Sequence, residues 1–392
     1  MRVHRLLKAL IYRGLLHDLP GPFEHVRGHC WKVSLPKFAR LPATSAPSRL
    51  VLFEDQQYLG PSDSPLDYIE QIGRGWYRHA GDSLFFSTPD NTDPNENQRT
   101  YSYATSRWLH RRQSGAPNNT LRRDPDTEAL HTEVEYALAA RKFLTAASEI
   151  GLANLHDRSV LDLGPGFACA SSVLLACSGA HVRVVDPYPA VWQPEYHTAF
   201  YTLLRDRLAG DPQFDLSPID KLLKDQAFTD RVMTRHSCPV ELLDVENDAI
   251  DIVFSNAVVE HFYDVRAAFS QLYRVTRPGG WGIHWVDFRD HRDFSRPLEY
   301  LLLSEPAFQR EFGLRRGELG NRLRPYEFRH MIEALGFEVA QFTPSHIADT
   351  DYLVEFTNRL RHADGSPYQE CDEQQLATLS CRVVLRKPIA QP

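Results

Sequence analysis

In the second half of the chain, short runs of almost wholly apolar residues alternate with stretches whose apolar residues recur every three or four positions. Ser159–Leu163, His181–Val185, 249–256 and 281–287 read as strands, because a run without polar alternation fits a strand covered on both faces. Residues 170–176 have helix-compatible small residues, and Val265–Val275 places Val265, Ala268, Phe269, Leu272 and Val275 at helical spacing before Arg277-Pro278-Gly279-Gly280 stops it. Residues 127–152 predict one long helix with Ala137, Leu138, Ala140, Phe143, Leu144 and Ala147 apolar. Residues 325–335 predict another, and 337–342 and 379–385 read as two closing strands. Strands alternating with helices predict an α/β fold around a largely parallel sheet.

The first hundred residues follow a different pattern. Leu50-Val51-Leu52-Phe53 and 83–87 are strand candidates separated by turn formers, which are densest over 88–101. Residues 1–110 are therefore expected to form a β-rich accessory domain, similar to an accessory module of bacterial surface-glycan transferases. Residues 111–126, opening with Arg111-Arg112-Gln113-Ser114-Gly115, have linker composition. Residues 127–392 form the α/β domain, with insertions near 211–230 and 288–322.

Composition adds exclusions. With 24% charged residues and a formal net charge of −7, the 392-residue chain has no overall basic field for a nucleic-acid backbone. The basic start, residues 1–13, is broken by Lys8 and Arg13, so it does not read as an export signal, and no segment reaches membrane-spanning length. Six scattered cysteines form no Cys-x-x-Cys pair, which argues against zinc and a disulfide framework, and Asn118-Asn119-Thr120 then reads as a chance glycosylation match. A cytoplasmic protein is expected.

The candidate chemistry begins at Asp162-Leu163-Gly164-Pro165-Gly166, where a buried strand runs into a glycine-hinged loop that opens a helix. Exposed amides there favour an anionic group, and Gly166 lets a ligand approach the main chain. Asp186 ends the second strand 20 residues beyond Gly166, placed to accept hydrogen bonds from ribose hydroxyls. The third glycine of a dinucleotide site is missing, with Cys169 in that region, which counts against a nicotinamide-dependent oxidoreductase.

These residues, with 251–261 (Asp251-Ile252-Val253-Phe254-Ser255-Asn256-Ala257-Val258-Val259-Glu260-His261) and Arg274-Val275-Thr276-Arg277-Pro278-Gly279-Gly280, resemble the class I S-adenosylmethionine-dependent methyltransferases in order and interval. The resemblance implies a Rossmann-like seven-stranded sheet flanked by helices and S-adenosyl-L-methionine as cofactor. It implies that Gly164, Pro165 and Gly166 face the methionine part, that Asp162 orders the loop through its backbone amides and the ligand's ammonium, and that Asp186 binds the ribose. An adenine contact is implied within 238–244, at Val240 and Glu241, while Ser255 and Asn256 close the fourth strand beside the transferable methyl.

The catalytic candidates lie beyond the fourth and fifth strands. His261 is a potential general base, because imidazole titrates near neutral pH, or it orients the loop with Glu260. His284-x-x-Asp287-x-x-Asp290-His291 offers three readings: a divalent metal, acceptor positioning or deprotonation by Asp287, Asp290 or His291, or a pin for the insertion. Residues three apart on a strand face opposite sides, so His284 and Asp287 cannot share an ion while the strand continues, and no metal is expected. Arg322 and Arg324 offer guanidiniums to an acidic acceptor or brace the following helix, and Trp76, Tyr77 and His79 offer sugar stacking or core packing. The expected activity is methyl transfer to a hydroxyl of a sugar, glycan or other small acceptor; a cofactor-binding protein without transfer is the alternative.

Overall fold

A computed structural model describes residues 17–36, 50–105 apart from 56, 60–63, 65, 72 and 74, 127–305 apart from 188 and 263, then 307, 308, 312 and 320–389. The basic start, the linker, the glycosylation match and part of the second insertion lie outside the described residues. The chain divides into two compact units: Met1–Ala116 with Leu303–Glu318 and Ala363–Pro367, and Pro117–Leu302 with Leu319–His362 and Tyr368–Pro392.

The first unit contains β1 (His17–Asp18), β2 (Glu24–Arg27), β3 (Cys30–Ser34), β4 (Leu50–Glu54), β5 (Gln57–Tyr58), a short α1 (Leu66–Gln71), β6 (Tyr77–Ala80), β7 (Ser83–Phe86) and β8 (Tyr101–Thr105). They form two antiparallel four-stranded sheets, β1-β8-β4-β5 and β2-β3-β7-β6, around Phe23, Leu52, Leu84, Phe86 and Tyr103. Trp76, Tyr77 and His79 are all buried, so core packing is their role and a sugar platform is not.

The second unit contains α2 (Thr127–Leu138), α3 (Arg141–Glu149), β9 (Ser159–Leu163), α4 (Ala170–Cys177), β10 (His181–Val185), α5 (Pro194–Leu208), α6 (Ser217–Asp225), β11 (Met233–His236), β12 (Ile250–Asn256), α7 (Val265–Val275), β13 (Thr276–Asp287), α8 (Pro325–Ala334), β14 (Glu338–Ile347), α9 (Thr350–Leu360), α10 (Glu373–Ala377) and β15 (Thr378–Arg386). The seven strands run in the order β11-β10-β9-β12-β13-β15-β14. The first five are parallel, and β15 is antiparallel to both neighbours. Successive residues of the central strands feed opposite faces: Val160, Ile252 and Phe254 pack with α2–α6, and Leu161 and Val253 pack with α7 and α8. This is the α/β sheet expected from the sequence, with the smaller β-rich part preceding it.

Local departures have physical reasons. The single helix expected over 127–152 is two, joined by i→i−3 bonds from Ala140 to Ala137 and from Phe143 to Ala140. Ala137 and Phe143, both buried, lie six residues apart, roughly 240° out of phase on one helix, so the break turns both apolar faces inward. Arg277-Pro278-Gly279-Gly280 does not separate helix from strand: β13 starts at Thr276 and bulges, pairing Ile250 with Thr276 and Ile252 with Trp281. Asp251 fastens that edge, bonding the Ser159 amide at 2.8 Å and pairing with Arg277 at 2.6 Å and Arg158 at 3.3 Å. The connection over 211–230 carries α6, and both closing strands run longer than their apolar cores.

Candidate active site

The candidate site lies at the carboxyl ends of β9, β10, β12 and β13, where parallel sheets open crevices for ligands. The loop after β9 is shaped first by Gly164, at φ +55°, whose amide donates to Val185 at 2.9 Å. A Cβ there would meet Val258 at 2.9 Å, so glycine is required by both backbone and neighbour. Gly166, at φ +76°, faces open space, leaving its main chain free to be approached. Pro165 sits half-buried between them.

Asp162 is buried and accepts hydrogen bonds from the Ser171 and Ser172 hydroxyls, each at 2.7 Å. It therefore ties the loop through the first turn of α4, where the sequence reading had loop amides. Burial pushes its carboxyl up to about 6 against the pull of those serines. Asp186 lies buried just beyond β10, with its amide on the His236 carbonyl at 3.2 Å. Burial and then the charges of Asp186 and Asp162 hold the Cys169 thiol well above its usual range, so both carboxylates flank the loop's last residue.

Two side chains that sequence reasoning missed hold the loop from α5. His197 Nδ1 accepts the Gln193 amide at 2.7 Å, which leaves Nε2 as the donor to the Phe167 carbonyl at 3.2 Å. Tyr201 donates its hydroxyl to the Ala168 carbonyl. His197 stacks between Phe167 and Trp192, with ring centroids 4.6 and 5.0 Å away. The available signal was the aromatic density of 192–201, which has no place in a solvent-facing helix.

Val240 and Glu241 occupy a 3₁₀ turn, Val240–Leu242. Val240 is buried in the core beside α7, which corrects its expected ligand-facing position. Glu241 is half-buried, and burial pushes it up to about 7 although the Asp264 amide at the start of α7 lowers it in part. Ser255 is fully buried with its hydroxyl 2.8 Å from His284 Nδ1, so it points into the sheet and not toward a ligand. Burial holds that His284 down to about 3, a neutral imidazole. Asn256 faces the other way, its Oδ1 accepting from Lys142 Nζ at 2.5 Å. The Lys142 ammonium lies 4.6 Å from the Trp285 ring centre, a half-buried cation that the sequence did not single out.

Beyond β13 the sequence Asp287-Phe288-Arg289-Asp290-His291-Arg292-Asp293-Phe294-Ser295 folds as three successive turns. Asp287, Asp290 and Asp293 each accept the backbone amide two residues on, at 3.0, 3.0 and 2.9 Å. The carboxylate of Asp290, buried, is forked by Arg292 at 2.9 and 2.5 Å, which makes it a pin for the insertion and leaves it no opening toward an acceptor. Asp287 is forked by Arg289 at 2.9 and 2.7 Å, and His291 Nε2 lies 3.5 Å from its Oδ2. Burial alone would raise Asp287, but His291 and Arg289 outweigh it and hold the carboxyl well below the usual range.

The 3₁₀ turn Val259–His261 brings Glu260 and His261 to this place. His261 and His291 have ring centres 5.6 Å apart. Asn321 clamps the turn by donating to the carbonyls of Val259 and Phe262, each at 2.9 Å. Glu260 is 3% exposed, and neither of its carboxylate oxygens has a hydrogen-bond partner of ordinary geometry. Burial, then the nearby Asp287 charge, pushes it up to about 8, softened by the amides of Glu260 and Asp287. Arg322 and Arg324 are not offered to any acceptor: both are buried, and Arg324 bonds the carbonyls of Phe288, Leu376 and Thr378 at 2.8, 2.9 and 2.6 Å.

Residues 130–341, just over half of the chain, match a family described as a methyltransferase domain. No curated protein sequence matches the chain at a significant level. Among solved structures, a Galdieria sulphuraria protein described as a sarcosine dimethylglycine methyltransferase is 14% identical, covering 64% of this chain and 86% of its own at a TM-score of 0.37. S-adenosylmethionine-dependent methyltransferases from Methanosarcina mazei and Mesorhizobium loti are 13% and 16% identical, covering 60% and 62% of this chain and 94% and 97% of theirs, each at 0.35. With the domain match spanning the glycine loop, Asp186 and the strands on either side of Glu260, the chain belongs to the class I S-adenosylmethionine-dependent methyltransferases and is an enzyme of that family.

Proposed function

We propose that this enzyme transfers the methyl group of S-adenosyl-L-methionine to a hydroxyl of a sugar, glycan or other small acceptor. The observation that carries the reading is the cluster of His261, Asp287 and His291 beyond β12 and β13, next to the end of the strand that Asn256 closes. Hydroxyl methylation needs a group that removes a proton as the oxygen attacks, and imidazoles beside a carboxylate serve that step at neutral pH. The acceptor's O–H bond breaks with its proton passing to His261 or His291, the oxygen bonds the methyl carbon, and the C–S bond breaks with its electron pair returning to sulfur. The other product is S-adenosylhomocysteine.

On this reading the loop at Gly164, Pro165 and Gly166 holds the methionine part, Asp186 the ribose hydroxyls, and the 240–241 turn borders the adenine. Asn256 lies beside the methyl. The domain limits expected from the sequence, 1–110, 111–126 and 127–392, belong to the same proposal. So does a cytoplasmic location, supported by the six free cysteines, and no described helix is long and apolar enough to cross a membrane. The negative net charge supports a small acceptor over a nucleic acid.

The test is incubation with methyl-labelled cofactor and a panel of sugars and sugar nucleotides, with products assigned by mass spectrometry and NMR. An O-methyl ether is expected. Asp287→Asn and His291→Ala should cut turnover by roughly 10²–10⁴-fold while S-adenosylhomocysteine affinity holds. A methyl group found on nitrogen or carbon, or turnover untouched in both variants, would rule this reading out.

A further inference from the structure

Burying a carboxylate without a partner is costly, and proteins rarely leave one so unless something else meets it. Glu260 is close to that case: the amides of Glu260 and Asp287 lie near its carboxyl, but neither oxygen makes a hydrogen bond of ordinary geometry. It comes from the turn after β12, whereas Asp287 ends β13 and His291 lies four residues on, so the three residues converge from two segments. One ligand atom from each lies within 4.8 Å of the others. His291 Nε2, also buried, stands 3.5 Å from Asp287 Oδ2 without a hydrogen bond of ordinary geometry, so donors from all three residues face one another at close range. A small cleft beside them is lined by Val259, Glu260, Asp287, Tyr300, Asn321 and Phe328.

We propose that Glu260, Asp287 and His291 form a site for one first-row divalent cation. Two carboxylates and an imidazole suit such ions, and ligands about 2.1 Å from a common ion stand about 3–4 Å apart, so shifts of about 1 Å close the site. Arg289 does not preclude it. Its fork and its backbone amide together use about three of the roughly four lone-pair positions of Asp287, leaving one on Oδ2, and with Glu260 ionised the three charged groups still sum to a negative site. His284, three residues before Asp287, is turned away to Ser255, and Glu260 takes the place it would have had beside Asp287 and His291. Three protein ligands leave positions open, and on the hydroxyl-acceptor reading the acceptor oxygen would take one of them and its proton would pass to His261, His291 then being a ligand; the cation site itself does not depend on that reading.

The probe is Mn²⁺ alone, titrated into the full chain and followed by the loss of the free-ion signal in electron paramagnetic resonance. About one equivalent should bind per chain. Glu260→Gln and His291→Ala should each weaken binding at least about 100-fold, since even groups supporting a ligand cost 10–100-fold. Circular dichroism and S-adenosylhomocysteine binding report whether each variant is folded; if Glu260→Gln is not, the half-buried His291 carries the comparison. No stoichiometric uptake by the parent protein, or parent-like uptake by the folded variants, overturns the site. Uptake without methylation of any hydroxyl would sink the acceptor reading and keep the site; chelator-resistant hydroxyl methylation without uptake would do the reverse.

Discussion

Asp162 couples the cofactor loop to pH through its burial. Its carboxyl rises from 3.8 to about 6 because burial disfavours the charge more than the two serine hydroxyls favour it. Between those values the folded chain holds the proton more tightly than the unfolded one, so this group's contribution is fully present below the unfolded value and is lost as pH rises through about 6. Asp162→Asn keeps an acceptor for the serines and removes the titration. Its stability relative to the parent should therefore climb by about 2 kcal/mol between pH 4 and 7, read from denaturant unfolding in the absence of ligand. A gap that stays constant across that range would show that the carboxyl is not shifted. Ser255 offers the opposite case, a predicted ligand contact that serves packing. Ser255→Ala strands a buried His284 nitrogen and should cost about 1–3 kcal/mol in stability while S-adenosylhomocysteine affinity changes less than about twofold. A large loss of affinity in calorimetry would restore Ser255 to the cofactor.

The strand-to-helix loop separates two uses of glycine that look alike in sequence. Gly164 is confined by its positive φ and by Val258, whereas Gly166 has the same kind of φ and nothing near it. Alanine in the left-handed region costs about 1–2 kcal/mol, and a clash with a branched side chain adds to that. Gly164→Ala should thus lose about 2–4 kcal/mol of stability, and Gly166→Ala about half as much. Gly166→Ala should lose cofactor affinity out of proportion to its stability, because its methyl group enters the space left for the ligand. Equal stability losses, with affinity intact in both variants, would contradict this division. The loop was legible because a doubly covered strand is an unbroken apolar run and its hinge needs glycine. The same logic exposed β9, β10, β12 and β13, whose residues alternate between two buried faces. The break between α2 and α3 was not legible from composition, since every residue near it suits a helix and only the phase of Ala137 against Phe143 marks the turn. The convergence of Glu260 on Asp287 and His291 depends on two strands lying side by side, which spacing along the chain does not reveal. An acid set in Val258-Val259-Glu260-His261-Phe262 was its one local sign.

For the whole molecule, the two units interleave along the chain, since 303–318 and 363–367 cluster with the first unit although they interrupt the second. A truncation to 127–392 would carry both returns without the residues they cluster with, so ligand-linked stability belongs to the full chain. A ligand that binds only the folded state adds RT ln(1 + [L]/Kd), about 2.7 kcal/mol at a hundredfold excess over Kd. For a unit the size of the second, that amounts to a rise in Tm of roughly 5–10 °C. S-adenosylhomocysteine should produce this rise in scanning calorimetry, in proportion to the logarithm of its concentration. NAD should produce none: where a dinucleotide site has its third glycine, this chain turns α4 out of the loop at Cys169, which is buried between the loop and α5. The Asp186→Ala variant should lose most of the shift, because about 1.5–3 kcal/mol of binding goes with a charged acceptor of ribose hydrogen bonds. No rise with S-adenosylhomocysteine, or an equal rise with NAD, would remove the cofactor assignment from Gly164, Gly166 and Asp186, whatever acceptor the enzyme proves to methylate.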